Sequence, residues 1–179
     1  MNNSNDLNIN NKYKVLFVCL GNICRSPAAH GLFQAIVDKN GAGNRFETDS
    51  AGTYSGHRGQ LPDGRMREAA SRRGYSLTHR ARPVSSLDLL DFDIIVAMDD
   101  NNFTDLMHLA PSVEASRKVV RMADYLKKSD YSYIPDPYYI WEQKVLNWSL
   151  ICWRKPAGIC MQTLMQNSEN FKMTSRLRL

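Results

Sequence analysis

VLFVCLGNICRSP, residues 15 to 27, carries three structural signals in succession. Val15, Leu16, Phe17 and Val18 form a short unbroken apolar run of β-branched and aromatic types, the pattern of a strand buried on both faces. Cys19 to Arg25 then breaks that pattern. Leu20, Gly21, Asn22, Ile23 and Cys24 separate the cysteine from the arginine, and Gly21 and Asn22 permit tight backbone turns. Ser26 is a favoured N-cap residue, Pro27 suits the first helical position, and AAHGLFQAIV continues as a helix. A cysteine is thereby predicted between the C-terminal end of a strand and the N-terminus of a helix.

That position suits an anion. Backbone N–H groups of the turn and of the helix's first turn converge on one place, and the helix dipole favours negative charge there. The same field favours the thiolate form of Cys19. Arg25 can hold two oxygens of a phosphate with its planar fork. A nucleophile, a cradle for a tetrahedral oxyanion and a charge clamp fall within seven residues.

The chain has 179 residues, which sets one domain with a proper core as the expectation. No apolar run approaches the ~18 residues of a membrane span, and the first residues lack a signal-peptide apolar segment. A cytoplasmic protein with no membrane partner is expected. The four cysteines, two of them in the loop, do not make a disulfide framework. The net charge of +5 is unevenly placed: residues 1–139 hold 17 Lys and Arg against 16 Asp and Glu, and residues 140–179 hold 6 against 2. The excess belongs mostly to the tail, which argues against a nucleic-acid partner.

MNNSNDLNINN is polar and aperiodic, so residues 1–12 read as a disordered leader. Lys14 to Val18 is the first predicted strand, Ser26 to about Lys39 the first helix, and Phe46 to Ser50 the second strand. Gly64 to Arg73 reads as a helix burying Met66, Ala69 and Ala70, and Leu77 to Val84 as an extended crossing segment ending at Arg82-Pro83. A short helical turn at Leu87 to Leu90, a strand at Asp93 to Met98, a helix near Asn102 to Leu109 and a strand at Lys118 to Met122 follow. This alternation predicts an α/β fold, an open sheet of four parallel strands with helices on both faces. Ligands in such sheets bind beyond the strands' C-terminal ends, where Cys19, Asp49 and Asp99 are expected.

A second constellation lies in YSYIPDPYY. Asp136 stands between Pro135 and Pro137, which stiffen the backbone on both sides. A carboxylate on a stiff loop suits a general acid, which must protonate a leaving oxygen at one fixed position.

CLGNICRSP resembles the phosphate-binding loop of the low-molecular-weight protein tyrosine phosphatases, C-x-G-N-x-C-R-S-P, and the family's D-P motif is present as IPDPYY. SAGT at 50 to 53, GYSLTHRAR and MDDNN at 98 to 102 are similar to further family segments, so the resemblance covers roughly residues 13 to 139. It implies a flavodoxin-like fold with the phosphatase loop after the first strand, and a metal-free, cofactor-free hydrolysis through a phosphocysteine. Carried over residue by residue, Cys19 becomes the nucleophile, Arg25 the phosphate clamp and Asp136 the acid, which then serves as base toward water. Leu20, Gly21, Asn22, Ile23, Cys24 and Ser26 complete the loop. Ser26 can donate a hydrogen bond to the thiolate, and Asn22 and His79 look like the family's pair that holds the loop in shape. Tyr138 and Tyr139 are expected at the cleft rim, where aromatic faces stack on a phosphotyrosine ring. Ile23 resembles the tyrosine-phosphatase branch, since the arginine-phosphatase branch usually has threonine there. Cys24 can protect Cys19 through a reversible disulfide. The implied partners are phosphotyrosine proteins, a tyrosine kinase among them.

Two other functions compete with this one. Arsenate reduction on the same fold needs relay cysteines after the second helix, where this chain has none. A phosphate-binding module without turnover would lack Cys19, Arg25 or Asp136, and all three are present. The chain departs from the family in YSGHRGQLPDG, which replaces the usual aromatic and glycine pattern of one cleft wall.

The other departure is the tail. After Tyr139 the family has a glycine-containing loop and a long C-terminal helix, whereas residues 140–179 contain three tryptophans, two cysteines and a basic end. Back-translation read two bases along forces Gly at Trp141-Glu142, Leu at Asn147-Trp148, Leu at Cys152-Trp153 and Ala at Met161-Gln162. With permitted codons elsewhere it yields GAEGFELVLDLLEEACRDLYADFDAE and a stop, a string that looks like the missing helix. Residues 140–179 are therefore expected to be a frameshifted replacement of that helix.

Overall fold

The structure is a computed structural model and describes residues 12–125, 134 and 136–138. Apart from Lys12, the leader lies outside these residues, as do Tyr139 and the whole tail over 140–179.

Among the described residues ten elements follow one another: β1 (Tyr13–Cys19), α1 (Arg25–Lys39), β2 (Phe46–Gly52), α2 (Gly64–Ser71), α3 (Ser86–Asp91), β3 (Ile94–Ala97), α4 (Asp100–Leu109), α5 (Val113–Ser116), β4 (Val119–Arg121) and a 3-10 turn (Met122–Tyr125). The four strands form one parallel sheet in the order β2-β1-β3-β4. Because side chains alternate along a strand, β1 feeds two cores. Val15, Phe17 and Cys19 pack with Leu32 and Phe33 of α1 and Met66 of α2, whereas Leu16 and Val18 pack with Leu89 of α3, Leu106 of α4 and Ala115 of α5. Burial on both faces explains why the β1 sequence is a continuous apolar run rather than an alternating one.

The chain leaves β1 toward β2 on one side and returns to β3 on the other. This is the reversal of strand order at which open α/β sheets hold their ligands. Cys19 ends β1 and Asp99 follows β3, so both stand at that crevice. Asp49 does not. It pairs with Leu16 in the middle of β2, which runs on to Gly52, because the strand is longer than the apolar pattern suggests.

The start of α1 also differs from the sequence reading. Arg25, not Ser26, is the first helical residue; Cys24 is the cap and makes no side-chain cap bond. Ser26 is withdrawn from capping because its hydroxyl is used in the loop. Pro27 remains harmless at the third helical position, since the first four N–H groups of a helix have no internal acceptor.

Candidate active site

Cys19 to Arg25 folds into a cradle whose shape depends on Asn22. Its backbone is left-handed, with φ of 53°, a region that asparagine tolerates better than most residues. Its side chain is a hub: Nδ2 donates to Ser26 Oγ (2.8 Å) and Ser50 Oγ (3.0 Å), while Oδ1 accepts from Arg82 N (2.9 Å) and lies 2.9 Å from His79 Nε2. The expected Asn22–His79 pair is therefore present, with Ser50 and Arg82 added. Arg82 is itself braced by Asp49 and Asp88. Asp49 acts here as a buttress behind the loop, not as a rim residue.

The loop's carbonyls are drawn outward. Leu20 O accepts from Tyr54 N (2.9 Å) and Ile23 O from Asp63 N (2.8 Å). Peptide planarity sends the N–H groups of Gly21 and Cys24 the opposite way, which is how a nest of amides is built. Gly52 makes this possible, since a Cβ there would lie 2.6 Å from Leu20 O and 3.0 Å from Asn22 N.

Cys19 Sγ accepts from Asn22 N at 3.3 Å and lies 3.1 Å from Ser26 Oγ. The Ser26 hydroxyl also reaches Ala51 O at 3.2 Å. Its one hydrogen can serve either acceptor, so it can turn to the sulfur when the sulfur is anionic. Cys24 is buried and unbridged; burial first, then Asp63 and Asp136, push its thiol far up, so it stays protonated.

Arg25 is buried, 3% exposed. Its Nη1 meets Asp99 at 2.5 Å and Ile134 O at 3.3 Å, and its Nη2 meets Asp136 at 2.6 Å. Burial works against its charge, but Cys19, Asp136 and Asp99 outweigh that and raise its affinity for the proton. Among the described residues Arg25 Nε is buried without a partner, a donor that an oxyanion's oxygen can satisfy. Asp136 is also anchored locally, its Oδ1 accepting from Tyr138 N at 3.0 Å.

A cavity of about 480 Å3 opens over the sulfur, lined by Cys19, Leu20, Ile23, Asp136 and Tyr138 and, from the divergent loop, Tyr54 and His57. The three aromatic groups form a chain: Tyr54 to His57 at 5.9 Å and His57 to Tyr138 at 6.3 Å between ring centroids. Gly56 leaves the space that Tyr54 fills, since a Cβ there would meet the Tyr54 ring at 2.3 Å. Tyr54 and His57 escaped the sequence reading as site residues, and Asp99, expected at the rim, was given no role toward Arg25. The signal for Asp99 was its place immediately after a buried strand and Met98; for Tyr54 and His57 it was their aromatic character inside the departing loop.

Asn22→Gly tests the hub, because glycine keeps the backbone and deletes the side chain. It leaves buried serine, histidine and amide groups unpaired. A loss of ~2–3 kcal/mol in denaturant unfolding and about tenfold weaker tungstate binding are expected. Unchanged tungstate affinity would show that the side chain does not shape the cradle.

The comparisons agree with this geometry. The family model described as low molecular weight phosphotyrosine protein phosphatase matches residues 14–149. A low molecular weight protein-tyrosine-phosphatase of Bacillus subtilis is 44% identical over 126 residues, 70% of this chain and 80% of that protein. A crystal structure of a protein tyrosine phosphatase from Entamoeba histolytica superposes with a TM-score of 0.83 at 35% identity, covering 87% of this chain and 99% of the other. The crystal structure of a Drosophila arginine phosphatase superposes with a TM-score of 0.79 at 31% identity, covering 84% and 97%.

Proposed function

Because this chain belongs to the low molecular weight phosphotyrosine protein phosphatase family, we propose that it hydrolyses phosphotyrosine in proteins through a covalent phosphocysteine. In the first step Cys19 Sγ attacks phosphorus and the bond to the tyrosine oxygen breaks, while Asp136 gives that oxygen its proton. In the second, water attacks phosphorus, Asp136 takes back a proton, the sulfur leaves as thiolate and inorganic phosphate departs. Arg25 and the amides of Gly21 and Cys24 hold the non-bridging oxygens throughout. No step calls for a metal or cofactor.

The observation that carries this reading is the pairing of buried Arg25 with Asp136 beside the cavity that Cys19 and Asp136 line, with an Arg25 Nε that has no partner among the described residues. The Arg25–Asp136 pair adds a coupling. An entering phosphate takes the guanidinium from Asp136 and frees its carboxyl to face the leaving oxygen. Substrate binding thus prepares its own acid.

A second reading, phosphoarginine as substrate, comes from the Drosophila structure. Ile23, buried and apolar at the cavity, favours tyrosine, whose ring also gains from Tyr54, His57 and Tyr138. Peptides of one sequence carrying phosphotyrosine, phosphoarginine or phosphoserine are expected to rank with phosphotyrosine ahead by about 100-fold in kcat/KM, a gap of ~2.7 kcal/mol. Equal or faster release from phosphoarginine would overturn the assignment.

A partner tyrosine kinase is a natural substrate within this class, and a working thiolate fits the reducing cytoplasm. Among the described residues no helix is long and apolar enough to cross a membrane. Residues 13–139 form the catalytic domain in this reading, and residues 140–179 replace its last helix by a shift of reading frame. The forced codons at Trp141, Trp148, Trp153 and Met161 support that origin.

A further inference from the structure

Behind the loop, on the far side of Asn22, lies a group of side chains that the phosphatase chemistry does not use. His30 projects from α1, Asp49 from β2 and His79 from the crossing segment, and each offers a ligand atom within 4.8 Å of the other two. The rings of His30 and His79 meet edge to face at 5.6 Å. Both histidines line a second cavity of about 280 Å3, shared with Gln34 and Asp38 of α1.

The hydrogen bonds fix the tautomer of His79. Asn22 Oδ1 accepts the backbone N–H of Arg82, so that atom is the amide oxygen, and His79 Nε2, 2.9 Å away, must donate to it. In the neutral ring His79 Nδ1 then carries a lone pair. It faces Asp49 Oδ1 at 3.6 Å, another acceptor. Two acceptors turned toward each other, with Asp49 Oδ1 otherwise taking only the Ser50 N–H among the described residues, leave room for a cation between them. Arg82 does not supply it, because it binds the other oxygen, Asp49 Oδ2, and is shared with both oxygens of Asp88.

We propose that His30, Asp49 Oδ1 and His79 Nδ1 form a binding site for a borderline divalent transition ion of the Zn2+ class. Two imidazoles and one carboxylate are a donor set such ions favour, with water in the remaining position. Bonds of ~2.0–2.2 Å to each donor need the three groups to close by roughly an ångström, which side-chain rotation toward the open cavity allows. The N–H of His79 donating to Asn22 is the outer hydrogen bond that metal-bound histidines generally make. An ion here ties α1, β2 and the crossing segment together and clamps His79 on the residue that shapes the phosphate loop. It stands outside the reaction: hydrolysis proceeds without it, and the ion governs how firmly the loop is held.

The test uses the full chain with Cys19→Ser, which removes the active-site sulfur as a competing ligand. On Zn2+ addition, nitrogen-detected histidine NMR is expected to move the ring signals of His30 and His79 and leave His57 and His108 in place. Calorimetry should lose at least tenfold in affinity for one Zn2+ on adding His30→Gln. In the chain with Cys19 intact, a chelator should lower the Tm while p-nitrophenyl phosphate turnover at 25 °C persists. No shift at His30 and His79, or binding that is indifferent to His30→Gln, would overturn the proposal. A proton rather than a metal as the bridging cation would give the first of these outcomes.

Discussion

Cys19→Ser is expected to lower p-nitrophenyl phosphate turnover by at least ~10^4-fold with the fold unchanged. Serine is close in size and can keep the contacts to Asn22 N and Ser26 Oγ, so tungstate should still bind. What it loses is the sulfur's nucleophilicity: a hydroxyl attacks phosphorus poorly unless an adjacent base takes its proton. No neighbouring base compensates, because Asp136 is bound to Arg25 and placed for the leaving group. Steady-state kinetics and tungstate calorimetry on the same preparation separate lost chemistry from lost binding. Mass spectrometry of quenched wild-type enzyme should find a phosphoryl group on the Cys19 peptide. Residual turnover within tenfold of wild type, or a phosphoryl group elsewhere, would remove Cys19 from its role.

The second large effect is expected from Asp136→Ala, and its size should depend on the leaving group. An unassisted phenolate leaves poorly, so phenyl phosphate should lose about 10^2–10^4-fold in kcat. Nitrophenolate needs little protonation and should lose less in the first step. The second step lacks its base in either case, so phosphocysteine should accumulate as a burst. Removing Asp136 also takes one carboxylate from Arg25, leaving Asp99 as its acidic partner among the described residues. Vanadate should therefore bind more tightly to the variant than to wild type. An equal loss in kcat/KM for both esters, which reports the first step alone, would make Asp136 a structural residue rather than the acid.

The cradle was legible because it is local. Strand, turn and helix start occupy consecutive residues, and the apolar run and Asn22 each state a backbone preference that the fold keeps. Asp136 was legible for a related reason, since its flanking prolines declare a stiff loop. The partners were harder. Asp99 and Asp136 meet Arg25 across 74 and 111 positions, and no periodicity encodes such a meeting. The aromatic chain of Tyr54, His57 and Tyr138 was hidden similarly, because its geometry depends on the space above Gly56. Asp49 was misplaced because Ser50, Ala51 and Gly52 extend β2 without being strong strand formers, held instead by pairing with Phe17, Val18 and Cys19. The start of α1 was misjudged by one residue because tertiary bonds claimed the Ser26 hydroxyl.

Gly52 has a consequence for how such an enzyme can change. Its missing methyl group lets the second strand press against the floor of the pocket, so mutation can remodel the floor only by dismantling it. The overhang from Tyr54 to Leu61 is freer at its open positions: Tyr54 and Leu61 are more than 40% exposed, and only Gly56, beneath the Tyr54 ring, and Gly59, with a φ of 80°, resist a side chain. Diversification of substrate choice is thus channelled into the overhang, and a library confined to those positions could retarget the catalyst without touching its reactivity.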